Sequence, residues 1–447
     1  MTSLDTVFKA YDIRGLVPEE LNADLARQVG AAFARFAGAK AILVGRDMRP
    51  SGLELSGAFI EGALGEGVDV IDLGLIPTDL LYFASGHMDM PGATFTGSHN
   101  PAQYNGIKLC LAGAKPVGEE TGLGDIKADI ESGVVNTTGA RRGEAHVLDL
   151  LPDYAAHVHS FVDLNAIRPL KVVADTANGM GGLALPSVMS ELPVTLEILF
   201  EELDGTFPNH PADPINPANQ VDLIARVRAT GADVGLAFDG DADRVFLVDE
   251  QGVGLSGSTT TAMLAAMLLD RNPGATVIHN LICSRAVPEV IREHGGTPIV
   301  ERVGHSFIKA RMAQTNAIFG GEHSAHYYFR DNYFADSGLI AAIMMLELIS
   351  RAQQPLSELR KPYERYAASG EINTRVAEPK ASIEKVAQHF ASLRQDRLDG
   401  LTVNSDSWWF NVRPSNTEPL LRLNLEAATR EECEARTQEV LAIVREG

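Results

Sequence analysis

Short apolar runs alternate with amphipathic stretches along most of the chain. Ala41-Ile42-Leu43-Val44-Gly45 is an apolar run of strand length, and Gly52 to Leu64 carries helical spacing. A helix-like run from Leu21 to Phe36, ended by Gly38, precedes them. Val68 to Leu73, a helix from Thr78 and Gly92 to Thr96 follow. This strand–helix–strand alternation predicts a mixed or parallel α/β sheet, with functional loops at the carboxyl ends of strands. The pattern restarts after a polar stretch near Gly139 to Gly143, with strands at Lys171 to Asp175, Val234 to Phe238 and Val245 to Val248. A third cycle has a helix at Ser258 to Leu269, a strand at Thr276 to His279 and a helix from Ala286. It closes with a strand at Ala317 to Phe319 and a helix at Ser337 to Ser350. Tyr363 to Gly370 reads as a linker. Beyond it come a helix at Ser382 to Leu393, strands at Trp408 to Val412 and Leu420 to Leu425, and a charged helix from Thr429 to Glu446. The expected architecture is α/β: three consecutive mixed α/β domains (1–145, 146–253, 254–365) plus a smaller C-terminal α+β domain (366–447) around a central cleft.

Four polar loops each follow an apolar strand, one in each domain-sized unit: Thr96 to Pro101, Asp239 to Arg244, Gly320 to His326 and Arg413 to Pro419. One such loop arises by chance; four imply convergence on a single cleft. In the first, the chain turns at Gly97 and presents Ser98, which is expected on an exposed loop. Ser98 and His99 are neighbours on an extended segment, whose side chains point apart, so no simple Ser–His pair is expected. On its own this loop also reads as a strand-to-strand turn with a capping serine. In the second, Asp239, Asp241 and Asp243 alternate and can face one point, where their repulsion calls for a cation. Oxygen-only ligands in a phosphate-handling site favour Mg²⁺. The later ligands of an EF-hand are missing, and a solvated acidic turn is the remaining alternative. Arg244 is placed to contact an anion carried by the metal or by Ser98.

In the third loop Glu322, Ser324 and His326 alternate and are expected on one face. A carboxylate with a hydroxyl suits two adjacent sugar hydroxyls, and His326 can move protons near neutral pH. In the fourth, Arg413, Ser415, Asn416 and Thr417 make a donor-rich turn, with Arg413 able to fork onto a phosphate. The alternative there is a turn stabilised by its own backbone.

Length and charge narrow the partners. At 447 residues and a formal charge of −21, several domains are expected and nonspecific binding to nucleic acid or anionic membranes is disfavoured. Cys110, Cys283 and Cys433 lie far apart, which argues against a disulfide framework or a cysteine-based zinc site. No signal peptide or membrane span is legible, so a cytoplasmic protein is expected.

Together the four loops resemble those of the α-D-phosphohexomutase superfamily, over nearly the whole chain. Thr96-Gly97-Ser98-His99-Asn100-Pro101 is similar to its phosphoserine loop and Asp239-Gly240-Asp241-Ala242-Asp243-Arg244 to its magnesium loop. Gly321 to His326 is similar to its sugar-binding loop, and Arg413 to Pro419 to its phosphate-binding loop. The resemblance implies that Ser98 is the phosphoserine, whose phosphate holds Mg²⁺ together with Asp239, Asp241 and Asp243. It implies catalytic roles for His99, Lys108, Arg244, His326 and Arg14. Substrate contacts are implied from Tyr11, His305, Glu322, Ser324, Arg413, Ser415, Asn416 and Thr417. Glu-His-Ser-Ala-His and Arg-Pro-Ser-Asn-Thr-Glu-Pro look most like the phosphomannomutase branch. Some dual-specificity members carry a lysine where Ile282 precedes Cys283-Ser284, which leaves Ser284 or Arg285 to replace its phosphate contact. The implied partner is a hexose phosphate, with a hexose 1,6-bisphosphate as activator and a monomer or weak homodimer as the assembly. A phosphoglucomutase or phosphoglucosamine mutase of the same family is the first rival reading, followed by a metal-dependent phosphatase and a non-enzymatic sugar-phosphate sensor.

Overall fold

Three of the four polar loops turn the chain back antiparallel along the strand they follow. Gly92–Phe95 pairs with Tyr104–Leu111, Val234–Phe238 with Val245–Asp249, and Phe319–Gly321 with Tyr327–Phe329. The strands on either side of the fourth, Trp408–Pro414 and Leu420–Ala427, are also antiparallel partners. The structure, a computed structural model, describes residues 4–133, 142–414 and 420–445. Ser415, Asn416 and Thr417 therefore lie outside the described residues.

The first three sheets share a plan. In the first, the order is Ile13–Leu16, Tyr104–Leu111, Gly92–Phe95, Ala41–Arg46, Asp69–Leu75 and Ala145–Val147, with Lys115–Pro116 paired beside Tyr104–Leu111. The second runs Val245–Asp249, Val234–Phe238, Leu170–Asp175, Val194–Leu199, and the third Thr297–Glu301, Thr276–Asn280, Phe319–Gly321, Tyr327–Phe329. In each, the strand that delivers a loop lies in a parallel arrangement on one side and meets its antiparallel return strand on the other. Such buried parallel strands read as unbroken apolar runs, as Val234–Phe238 does. The fourth sheet is antiparallel throughout: Ala367–Arg375, Leu420–Ala427, Trp408–Pro414, Leu401–Asn404, Arg394–Asp396. Three α/β units and a C-terminal α+β unit are thus present.

One hydrophobic core passes without a break from Leu81 and Phe83 through Tyr154, Leu236 and Phe246 to Leu264, Phe329 and Leu346, uniting the first three units. The C-terminal unit has its own core around Val386, Phe410, Leu423 and Val440. Two expectations are corrected. The stretch expected as a linker at Tyr363 to Gly370 already enters the strand Ala367–Arg375, whose alternating exposure is that of an edge strand. The helix expected at Ser382 to Leu393 is Pro379–His389, because Pro379 fits a first helical turn, where its missing N–H is not needed. Among the described residues no helix is long and apolar enough to cross a membrane.

Candidate active site

The loop after Gly92–Phe95 corrects two expectations about Ser98. It is only 5% exposed, rather than sitting on an exposed loop. Its side chain does meet His99, with Ser98 Oγ 3.1 Å from His99 Nδ1. The reason is backbone conformation: Ser98 has φ 48°, the left-handed region, so the alternation of an extended segment does not apply. Its N–H donates to Thr96 Oγ1 at 2.8 Å, and its hydroxyl donates across to Asp239 Oδ2 at 2.9 Å, joining the first unit to the second. The His99 ring keeps contact with solvent, yet crowding by protein, then Arg244 and Arg14, push its pKa well below the ordinary value.

The second loop is not extended either. Ala242 has φ 61°, and this turn brings oxygens of Asp239, Asp241 and Asp243 within 4.8 Å of one another. All three residues are buried. Arg244 donates Nε and Nη2 to Asp239 Oδ2 at 3.1 and 3.0 Å, and Lys108 Nζ donates to Asp241 Oδ2 at 2.8 Å and Asp243 Oδ2 at 2.7 Å. Burial holds Asp239's carboxyl above the usual range even against Arg244. Burial would also raise Asp241, but Lys108 outweighs it and the carboxyl lies below the usual range. Burial tends to lower the Lys108 ammonium, and the two aspartates override it, so it lies well above its ordinary value. The buried Oδ1 atoms of Asp241 and Asp243 have no hydrogen-bond partner. Unused, hard, anionic oxygens converging on one point fit a divalent cation of the Mg²⁺ type.

Thr78, unforeseen from the sequence, fastens this loop. Its N–H donates to Asp241 O at 3.0 Å and its hydroxyl to Asp241 Oδ2 at 2.6 Å. The next residue, Asp79, is fully buried and accepts from Tyr154 Oη at 2.5 Å and Ser337 Oγ at 2.6 Å. Burial, against those hydrogen bonds, raises its carboxyl to about 7.

The third loop is a closed turn, not the extended segment expected from its alternation. Glu322 N donates to His326 O at 3.0 Å, and Ala325 has φ 65°. Each of the three described loops therefore spends one non-glycine residue in the left-handed region, at roughly 1–2 kcal/mol each, as functional sites often do. Glu322 is buried and accepts from Tyr328 Oη at 2.5 Å and Asn280 Nδ2 at 3.0 Å, while Ser324 is half-buried. His326 Nδ1 lies 2.8 Å from Asp336 Oδ2 and 3.9 Å from Asp243 Oδ1. Burial would lower its pKa, but Asp243 and the Asp336 hydrogen bond outweigh that and place it above the ordinary value. Asp336 in turn pairs with buried Lys309 at 2.8 Å. Neither residue stands out in the sequence; Asp336 precedes the helix cap Ser337, and nothing in that spacing marks it.

Arg14 reaches the Ser98 loop, whereas the ion pair of Arg413 lies within the fourth unit. Arg14 donates to Asn100 Oδ1 at 2.5 Å and to Gly97 O at 3.3 Å. Tyr11 donates to Val303 O at 3.2 Å and packs edge-on against His305 at 5.4 Å, bridging the first and third units. Burial first, then Lys309, push His305's pKa well down. Arg413 pairs with Glu371 at 3.2 Å. Arg285 is not free to take over a phosphate contact beside buried Ile282. Its Nη2 donates to Ser405 O at 2.7 Å and Trp408 O at 3.2 Å, and its N–H donates to Glu426 Oε2 at 2.9 Å, tying the third unit to the fourth. A cavity of about 260 Å³ lies at this junction, lined by Ser258, Ser284, His323, Trp409, Asn424 and Glu426 among others.

A buried hydroxyl, an acidic cation cradle and a carboxylate–histidine turn are thus brought together from three α/β units, through Ser98 with Asp239 and Asp243 with His326. Family models described as phosphoglucomutase/phosphomannomutase α/β/α domains I, II and III match residues 5–134, 152–252 and 256–366, and the C-terminal domain matches 371–443. The chain belongs to the phosphoglucomutase/phosphomannomutase family and is an isomerase. It is 41% identical over 450 residues to a phosphomannomutase of Salmonella montevideo, covering 98% of this chain and 99% of the relative. It is 40% identical to one of Escherichia coli strain K12, over 99% of each. A crystal structure of a phosphoglucomutase/phosphomannomutase family protein from Burkholderia thailandensis superposes with a TM-score of 0.90 at 34% identity, covering 100% and 99% of the two chains.

Proposed function

We propose that this protein interconverts mannose 6-phosphate and mannose 1-phosphate, and accepts glucose phosphates more slowly. The observation that carries the reading is the Ser98 hydroxyl held 2.9 Å from Asp239, beside two further aspartates, of which Asp243 meets His326 of the third loop. Phosphorylated Ser98 gives its phosphoryl group to the free hydroxyl of the bound sugar. The resulting hexose 1,6-bisphosphate turns around and returns its other phosphate to Ser98. Magnesium, when bound by Asp239, Asp241, Asp243 and the serine phosphate, would offset charge on the transferring group.

The chain's own residues do the rest. Arg244 and Lys108 supply positive charge around the transferring oxygens, and holding them in place before reaction is where such sites gain most. His326, kept in register by Asp336, is the group best placed to exchange a proton with the sugar hydroxyl. Glu322 and Ser324 take the 3- and 4-hydroxyls, Tyr11, His305 and Arg14 line the approach, and Arg413 with Ser415, Asn416 and Thr417 docks the non-reacting phosphate. The same dock must accept either phosphate, because the intermediate binds both ways round. Cytoplasmic residence, a monomer or weak homodimer, and activation by a hexose 1,6-bisphosphate complete the proposal.

The test is a coupled assay that reads isomerisation and free phosphate together, with mannose 1-phosphate and glucose 1-phosphate compared. Isomerisation without phosphate release, faster on mannose 1-phosphate, supports the proposal. Phosphate release as the main product would make the protein a phosphatase, and no turnover would leave a sensor.

A further inference from the structure

A single guanidinium lies beneath the Ser98 loop with every N–H donor engaged. Arg49 follows the strand Ala41–Arg46, and its side chain is fully enclosed. Nε donates to Asp47 Oδ2 at 3.2 Å. Nη1 donates to Pro101 O and Tyr104 O, both at 2.8 Å, and Nη2 to Ser98 O at 2.9 Å and Asn100 O at 2.6 Å. A guanidinium offers five N–H donors in a fixed plane, and here all are spent. Four of the acceptors are backbone carbonyls of one loop. Carbonyl oxygens drawn to one point repel one another, so this curvature needs the cation at its centre.

The surroundings are shaped to that cation. A Cβ on Gly97 would lie 2.5 Å from Arg49 Cζ, so only glycine fits between the guanidinium and the serine. From the second unit, the Phe207 ring lies 5.2 Å from Cζ, and a Cβ on Gly205 would come within 2.5 Å of Arg49 Cα. Asp47 completes the seat: its Oδ1 accepts the Arg49 N–H at 2.9 Å.

We propose that Arg49 is a positioning residue for phosphoryl transfer, clamping the loop carbonyls so that Ser98 keeps the left-handed conformation that aims its hydroxyl at Asp239. The proposal rests on Ser98 being the phosphoryl carrier. Arg49 touches neither the serine oxygen nor the substrate, and acts through the main chain of Ser98. Lysine cannot replace it, because one ammonium cannot serve four carbonyls and a carboxylate in a planar fork. The third-unit residues assigned to the sugar, His305, Glu322 and Ser324, are not among the partners of this clamp, so its loss should appear in the chemical step more than in sugar binding.

The experiment compares wild-type protein, Arg49→Lys and Ser98→Ala as full chains. For Arg49→Lys, kcat should fall about a hundredfold while KM for mannose 1-phosphate stays within about threefold, the mark of lost transition-state positioning. The rate at which glucose 1,6-bisphosphate phosphorylates dephosphorylated protein, followed by intact mass, should fall by a similar factor. Wild-type kcat and phosphorylation rate in Arg49→Lys would overturn the proposal, and so would a loss carried by KM alone. If Arg49→Lys shows no cooperative unfolding transition, Gly97→Ala carries the same comparison, since its methyl group displaces the guanidinium. The same kcat loss supports the clamp, and unchanged kcat rejects it. Failure of the underlying reading looks different. Wild-type protein would then take up no phosphate and Ser98→Ala would stay active, which removes both claims.

Discussion

Lys108 Nζ sits 2.8 Å from Asp241 Oδ2, so a first-unit ammonium occupies the carboxylate cluster of the second unit. Asp243 is its other partner, at 2.7 Å. The ammonium holds the Oδ2 atoms and leaves the Oδ1 atoms unpartnered, yet it neutralises the negative charge that would draw a divalent cation, so the two compete electrostatically. Lys108→Met should therefore tighten Mg²⁺ binding to substrate-free protein by about tenfold while turnover falls at least about a hundredfold. Calorimetric titration with Mg²⁺ and the coupled assay read the two effects. Weaker Mg²⁺ binding in the variant would show that the lysine supports the cation site instead of competing with it. Chelation of the wild type should abolish turnover, and Mg²⁺ should restore it.

Ser98→Ala should lose at least ~10³-fold in turnover, because a nucleophile has no substitute among its neighbours. The fold should survive, since one hydroxyl contributes about 1 kcal/mol of hydrogen bonding. Intact-mass measurement after bisphosphate treatment should find one phosphate on the wild type and none on the variant. Near-normal activity in Ser98→Ala would exclude the serine as carrier.

Asp79 makes stability depend on pH. Its carboxyl is raised to about 7 in the folded protein, chiefly by burial, against 3.8 as the ordinary value. A group that holds its proton more tightly when folded contributes most below its unfolded pKa, and the contribution fades as pH rises through about 7. Between pH 5 and 8 the wild type should lose roughly 2 kcal/mol from this group. Asp79→Asn, which keeps the neutral shape, should lose none of it. Thermal unfolding of both proteins at the two pH values checks this, and parallel changes would dismiss Asp79 as the cause.

Sugar preference should respond to His323. Its Nδ1 lies 3.0 Å from Ser258 Oγ, and the ring borders the cavity between the third and fourth units. Burial pushes its pKa down, so the ring is neutral at physiological pH. Replacing it by a carboxylate changes the charge within the Glu322 to His326 turn without touching Ser98 or the acidic loop. His323→Glu should shift the ratio of kcat/KM for mannose 1-phosphate over glucose 1-phosphate by about tenfold, within the range that pocket contacts can supply. An unchanged ratio would leave His323 as a packing residue of the turn.

The loops were legible because a polar turn after a buried apolar strand is conspicuous, as at Val234–Phe238 before Asp239. The way each loop carries its side chains was not. Ser98, Ala242 and Ala325 adopt left-handed conformations that no propensity assigns to serine or alanine; tertiary contacts impose them. Arg49 was within reach, since Asp47-Met48-Arg49-Pro50 follows the strand Ala41–Arg46 just as the four polar loops follow theirs. Asp79, Lys309 and Asp336 were not, because a charged residue inside a helix or beside a cap looks the same in sequence whether it faces water or a neighbouring unit. The same limit applies to Tyr363 to Gly370, where polar residues masked an edge strand.

The unbroken core of the first three units has a thermodynamic reach beyond packing. Leu81, Leu236 and Leu346 share one apolar interior, so loosening any of these units exposes surface belonging to the other two. They should therefore open together where they share that interior, with the strand amides facing it exchanging at a common, slow rate, while the other face of the first unit's sheet closes over its own core around Phe33, Phe59 and Phe95. The residues around Phe410 and Val440 answer to a different interior and can exchange on their own schedule. Their connection to the block runs through the single chain crossing near Tyr366 and through polar contacts such as those of Arg285. The last unit can thus lose its order, or tilt, without asking the machinery around Ser98 to unfold.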